Sequence, residues 1–180
     1  MLCGKVDEQS VTAQRAYLDI ETTFGGRISV IGIYRPDRGA IQLVGGGVND
    51  LNLYRALDGV DTICTYNGTC FDLPVIRKRL LVDLRDDFRH FDLMYACRKR
   101  GLRGGLKKVE LQLGIVRETA GMNGWDAPRL WHRYEYGADH AALDLLLKYN
   151  RDDIIYLPRV HAYVEVLPDE PINEAVHVWE

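Results

Sequence analysis

The chain has 180 residues, 47% of them hydrophobic and 27% charged, which is the composition of a folded domain rather than of a disordered segment. Its 23 Lys and Arg against 26 Asp and Glu leave a formal charge of −3, which excludes a strongly basic polyanion binder but not local basic patches. No stretch approaches the about 18 consecutive apolar residues of a membrane span, and the start, Met1-Leu-Cys-Gly-Lys with Asp7 and Glu8 behind it, lacks the apolar region of a secretory signal.

Residues 1–14 are polar and weakly patterned and read as a leader. Ala16–Ile20 and Ile28–Tyr34 read as strands, the second rich in β-branched residues. Turn chemistry over Arg35–Gly39 leads into a third strand, Ala40–Val44, and such short connections predict an antiparallel meander. Asn49 or Asp50 can cap a helix that places Leu51, Tyr54 and Leu57 on one face. Thr62–Tyr66 is a compact apolar strand, Asn67-Gly68 turns the chain, and Phe71–Leu81 reads as a helix with Pro74 tolerated in its first turn. His90–Met94 reads as a fifth strand, and a strand–helix–strand link of this length predicts parallel pairing.

The remainder reads as mostly helical. Leu106–Leu113 carries apolar residues at helical spacing, and Gly121–Pro128 reads as a loop. Asp139 caps a long helix through Ile154, which Pro158 should kink or end. Residues 168–180, with two prolines and four acids, read as a peripheral tail. The expectation is one mixed-sheet α/β domain over residues 15–167, with three antiparallel strands followed by two parallel ones and flanking helices. None of Cys3, Cys64, Cys70 and Cys97 forms a C-x-x-C pair, and the five histidines are scattered. The expectation is therefore no zinc, no disulfide framework and a reduced, cytoplasmic protein with Cys64 and Cys97 in its core.

Three segments carry unusual acids. In Asp19-Ile20-Glu21-Thr22-Thr23, strand alternation puts both carboxylates on one face. Close carboxylates repel unless a cation sits between them. Asp72, in Tyr66-Asn67-Gly68-Thr69-Cys70-Phe71-Asp72, opens a helix, where a carboxylate can simply favour the helix dipole. Tyr149 and Asp153, four apart in Tyr149-Asn150-Arg151-Asp152-Asp153, share a face of a packed helix, where Asp has poor propensity. Asp152 lies about 100° round from Asp153 and is expected to be solvated.

Together these segments resemble the DEDD superfamily of 3′–5′ exonucleases, with the ribonuclease H-like (DnaQ-like) fold. Asp19-Ile-Glu-Thr-Thr is similar to the first motif of that family. Tyr66-Asn-Gly-Thr-Cys-Phe-Asp72 is similar to its second, in the form seen in proofreading domains of family B polymerases. Tyr149-x-x-x-Asp153 is similar to the third in its tyrosine variant, DEDDy. His90-Phe-Asp-Leu, Gly105-Leu-Lys-Lys and the Trp125–Asp153 stretch extend the likeness, the last towards stand-alone YprB-like predicted exonucleases, so that it spans roughly residues 15–165. Phe24 departs from the glycine that many relatives carry directly after Thr-Thr.

The resemblance implies that Asp19, Glu21, Asp72 and Asp153 hold two Mg²⁺ or Mn²⁺ ions and that Tyr149 orients or helps deprotonate the attacking water. The chemistry agrees with the residue types. Two dications about 3.5–4 Å apart can clamp both ends of an in-line displacement, and hard cations take oxygen ligands. Four carboxylates then balance two dications formally. The implied substrate is a single-stranded DNA or RNA 3′ end, DNA favoured, with nucleoside 5′-monophosphates released. Thr22, Thr23, Phe24, Asn67, Phe71 and Lys107 are its candidate contacts. The acid-free strip Arg98–Lys108 either follows a phosphate backbone or is a solvated basic face. Trp125, Trp131 and Tyr134 read as core. Two other readings stand beside this one. One is a non-catalytic nucleic-acid-binding module of the same fold. The other is an aspartyl phosphatase, whose Asp-x-Asp-x-Thr motif Asp19-x-Glu21-x-Thr23 matches only loosely.

Overall fold

A computed structural model of the protein describes residues 14–166; the expected leader, apart from Gln14, and the tail from Pro168 lie outside the described residues. Five strands form one sheet in the order β3-β2-β1-β4-β5. They are β1 (Arg15–Thr22), β2 (Ile28–Arg35), β3 (Gly39–Val44), β4 (Thr62–Thr65) and β5 (Arg89–Asp92). The first three pair antiparallel and β4–β5 pair parallel, as the short and long connections predict, and β4 joins the sheet by pairing parallel with β1.

Alternation along β1 divides the core. Ala16, Leu18 and Ile20 face one side, where they pack with Leu53 and Leu57 from α1 (Asp50–Ala56) and its cap and with Leu73 and Ile76 from α2 (Asp72–Leu80). A short helix, α3 (Leu84–Asp87), which the sequence pattern does not announce, closes this layer with Leu84. Asn49 accepts from Asn52 N at 2.9 Å as the α1 cap, but Leu51 is exposed and the buried face runs through Leu53, Ala56 and Leu57. The expected face through Leu51, Tyr54 and Leu57 is therefore turned by about a third of the helix circumference, keeping Leu57 and the partly buried Tyr54, because the sheet lies on the Leu53 side.

On the opposite side, Tyr17 and Cys64 pack with α4 (Leu93–Lys99), α5 (Leu106–Gln112) and α8 (Leu157–Val166). The expected fifth strand ends at Asp92 because that side chain accepts from Met94 N at 3.0 Å and starts α4. Val30 packs beneath α6 (Asp126–Gly137) and α7 (His140–Ile155). The expected loop at Gly121–Pro128 thus gives way to helix at Asp126, with Pro128 in its first turn, where a missing N–H costs nothing. Asp139 caps α7 by accepting from Ala142 N at 3.0 Å, and α7 stops before Pro158, which sits in the first turn of α8. Cys64 and Cys97 are buried and unpaired, as expected. Trp131 is buried, but Trp125 is 74% exposed, since it precedes α6 rather than lying on its inner face.

Candidate active site

Strand β1 and helix α7 meet at the C-terminal end of β1. Asp19 and Glu21 lie on the same face of β1, next to a register irregularity at Glu21/Thr22. Helix α7 lies across that face, and its close approach depends on Gly32, the β2 residue paired with Asp19. A Cβ at Gly32 would come within 2.3 Å of Asn150 Oδ1. Asn150 Nδ2 donates to Asp19 Oδ2 at 3.2 Å, while Gln42 Nε2 donates to Asn150 Oδ1 at 2.9 Å and fixes the amide. Asp19, Glu21 and Asp153 each bring a carboxylate oxygen to within 4.8 Å of the other two. Asp72 stands beside this triplet at the start of α2, its Oδ1 accepting from Ile20 N at 3.0 Å.

The connection that delivers Asp72 is built tightly. Asn67 adopts φ 67°, and a Cβ at Gly68 would come within 2.2 Å of Thr65 Oγ1. Asp92 accepts from Asn67 N at 2.8 Å and Thr69 N at 3.0 Å, pinning this turn to β5. Its place is next to the acids, not among them.

Burial first, then the negative charge of Asp153, Asp72 and Glu21, pushes Asp19 well above the usual carboxylate range. Glu21 is raised by burial and by Asp153 and Asp72, with Lys107 and Arg117 opposing. Asp72 is pushed up to about 7, mainly by burial. Asp153 is raised by burial against the pull of Arg117. The Tyr149 hydroxyl is raised too, by burial and then by Asp153, Glu21 and Asp19, so it is a neutral hydrogen-bonding group in this setting.

Asp19, Glu21 and Asp153, but not Asp72, lie on the wall of an open cleft of about 720 Å³ that is also lined by Thr22, Asn67, Phe71, Lys107 and Tyr149. Lys107 Nζ sits 4.3 Å from the centroid of the Tyr149 ring and donates to Met122 O. Of the basic strip, Arg98, Lys107 and Lys108 line the cleft, whereas Arg100 turns away to donate to Val164 O at 3.0 Å. Thr23 closes the β1–β2 turn, its Oγ1 accepting from Arg27 N at 3.2 Å. Phe24 lies outside the cleft wall on the surface, 62% exposed, and continues through His132 to Tyr136 as a row of aromatic rings.

Two features differ from the expectation. Asp152 is buried, accepting from Thr119 N at 2.9 Å and Thr119 Oγ1 at 2.7 Å, because the segment after α5 covers that side of α7. The charge balance is also not four acids against two dications alone, since Arg117 Nη1 lies 2.7 Å from Asp153 Oδ1. Nothing local in Gly114-Ile-Val-Arg117 marks that arginine as part of the site; only its surroundings do.

Comparisons with known proteins bear on the family and the fold. A family model described as the RNase H superfamily matches residues 16–165. An uncharacterized protein, YprB of Bacillus subtilis (strain 168), is 28% identical over 132 residues, which cover 64% of this chain and 31% of that protein. The family B DNA polymerase from the hyperthermophilic archaeon Pyrobaculum calidifontis superposes with a TM-score of 0.64 at 18% identity, covering 86% of this chain and 24% of the polymerase. The chain therefore spans about a third or less of the length of both. With its mixed five-stranded sheet and flanking helices, and with a family match over most of its length, the chain belongs to the RNase H superfamily and has a nuclease-type fold.

Proposed function

We propose that the chain is a 3′–5′ exonuclease of the DEDDy type, dependent on two Mg²⁺ or Mn²⁺ ions. Its substrate is the 3′ end of single-stranded nucleic acid, DNA in preference to RNA, and its products are nucleoside 5′-monophosphates. The observation that carries this reading is the convergence of Asp19, Glu21 and Asp153 to within 4.8 Å on the wall of an open cleft, beside a buried tyrosine. The donor set is all oxygen, which suits hard dications. Asp19, Glu21, Asp72 and Asp153 would hold the ions. When bound, the ions supply the positive charge that stabilises the attacking and leaving oxygens of an in-line displacement.

The chain's own groups supply orientation. Asn150 fixes Asp19, and the Ile20 N–H fixes Asp72. Tyr149, on the cleft wall one helical turn before Asp153, orients a water through its hydroxyl. Arg98, Lys107 and Lys108 meet phosphates along the cleft, and the exposed Phe71 and Phe24 offer faces on which any base can stack.

The test is digestion of end-labelled DNA and RNA single strands with Mn²⁺ or with chelator. A ladder shrinking from the 3′ end only with metal is expected. Asp153→Asn should lower the rate about 100-fold or more while the protein still folds, and retained turnover would remove Asp153 from the site. Tyr149→Phe should slow turnover and leave Mn²⁺ affinity nearly intact. Binding without degradation, unchanged by Asp19→Ala, would make the chain a binding module. Phosphate release from a small monoester would point to a phosphatase.

A further inference from the structure

Helix α5 ends in a turn that sets up an ion pair seven residues apart. Ile115 N donates to Glu110 O at 2.8 Å, and Gly114 takes φ 68°, the left-handed conformation that glycine reaches without a Cβ penalty. Ile115 is buried as the chain reverses, and Arg117 is brought back over Glu110. One edge of the Arg117 guanidinium grips both oxygens of Glu110, Nε to Oε2 and Nη2 to Oε1, the latter at 2.8 Å. The remaining nitrogen, Nη1, lies 2.7 Å from Asp153 Oδ1. Both Glu110 and Arg117 are buried, at 1% and 9% exposure. The next anchor lies two residues on, where Thr119 holds Asp152 through its N–H and hydroxyl. The segment after α5 is thus fastened to two adjacent acids of α7.

A buried arginine held in a fork by one carboxylate cannot swing aside as a surface side chain does. It keeps a positive charge at the edge of the acid cluster whether or not an ion is present. Its Nη1 lies against Asp153 Oδ1 as an ion pair. We propose that Arg117 is a positioning residue, a built-in counter-cation anchored by Glu110 that holds Asp153 in place before any divalent ion arrives and weakens the attraction for that ion. This rests on the reading of the acids as a metal site, and the sign of its consequences is fixed by electrostatics. Removing the buried pair leaves the metal-free acids to repel one another, so the protein should depend more on the ion. Removing only the charge of Glu110 leaves the arginine uncompensated, so the ion should bind more weakly.

The experiment measures Mn²⁺ affinity from the free-ion paramagnetic signal, and thermal unfolding with Mn²⁺ or with chelator, on the full chain. Glu110→Met/Arg117→Met should bind Mn²⁺ about tenfold more tightly than the unmodified chain, and Glu110→Gln about tenfold more weakly. The rise in Tm on adding Mn²⁺ should be larger in the double variant and smaller in Glu110→Gln. If the arginine only fastens the segment to α7, both variants would lower Tm equally with and without Mn²⁺ and leave the affinity unchanged, and that result overturns the proposal. Should the double variant not fold, the nearly isosteric Glu110→Gln decides alone. Asp19→Ala separates the two layers: if it leaves Mn²⁺ binding untouched, the metal-site reading itself fails. If it abolishes binding while the Glu110 and Arg117 variants behave like the unmodified chain, only the role given to Arg117 fails.

Discussion

Four carboxyls in one nest make the metal-free protein sensitive to pH in a direction that can be worked out. Asp19, Glu21, Asp72 and Asp153 are all raised, by burial first, and Asp72 to about 7. A raised acid binds its proton more tightly in the folded chain than in the unfolded one. Its contribution to stability is complete below the unfolded value, near 4, and is lost as pH climbs through the folded value. In the presence of chelator, Tm should therefore fall between pH 5 and pH 8, and saturating Mn²⁺ should flatten or reverse that fall. A metal-free Tm that rises across this window would mean the acids are compensated by more than Arg117 and Lys107. The sequence carried Asp19, Glu21, Asp72 and Asp153 as candidates because their segments together resemble the motifs of a known family, each being a weak signal alone. It misplaced Asp152, since whether an acid beside Asp153 meets water or Thr119 depends on a segment more than thirty positions away.

Elements position the site through close approach of backbone. Helix α7 can bring Asn150 and Asp153 down onto β1 because β2 offers Gly32 where any other residue would place a Cβ 2.3 Å from Asn150 Oδ1. Gly32→Ala should therefore displace Asn150 and cost about 1–3 kcal/mol by overpacking, read as a lower denaturation midpoint with an unchanged denaturant slope. A variant as stable as the parent would show that α7 can lift off the sheet without loss. The sequence pattern marks Ile28–Tyr34 as a strand but does not say which of its residues lies under a helix. For the same reason it turned the buried face of α1 towards Leu51. Periodicity defines a face, and only the neighbouring layer says which way that face points.

At the scale of the molecule, a formal charge of −3 coexists with a cleft edged by cations, because Arg98, Lys107 and Lys108 all line it while many acids are spent elsewhere. Three phosphate contacts predict that the logarithm of the affinity for a single strand falls with the logarithm of salt concentration at a slope of about −2. The measurement is anisotropy of a labelled strand titrated in Ca²⁺ or chelator so that it stays intact; a slope near zero would take the strand away from these cations. Although nothing in them says that β4 pairs with β1, alternation, turn residues and connection lengths were enough to give the succession of elements, an antiparallel meander followed by parallel strands, and the helices that carry the acids. These are local or near-local properties, set by side-chain period and by how far a short link can reach. The tertiary structure alone decided that Asp19, Glu21 and Asp153 converge, that Asp72 stands beside them under an Ile20 N–H, and that Arg117 supplies a cation from a segment with no signature. Coulomb interaction and burial depend on distance in space, and distance in space between remote residues is fixed only when the layers have packed.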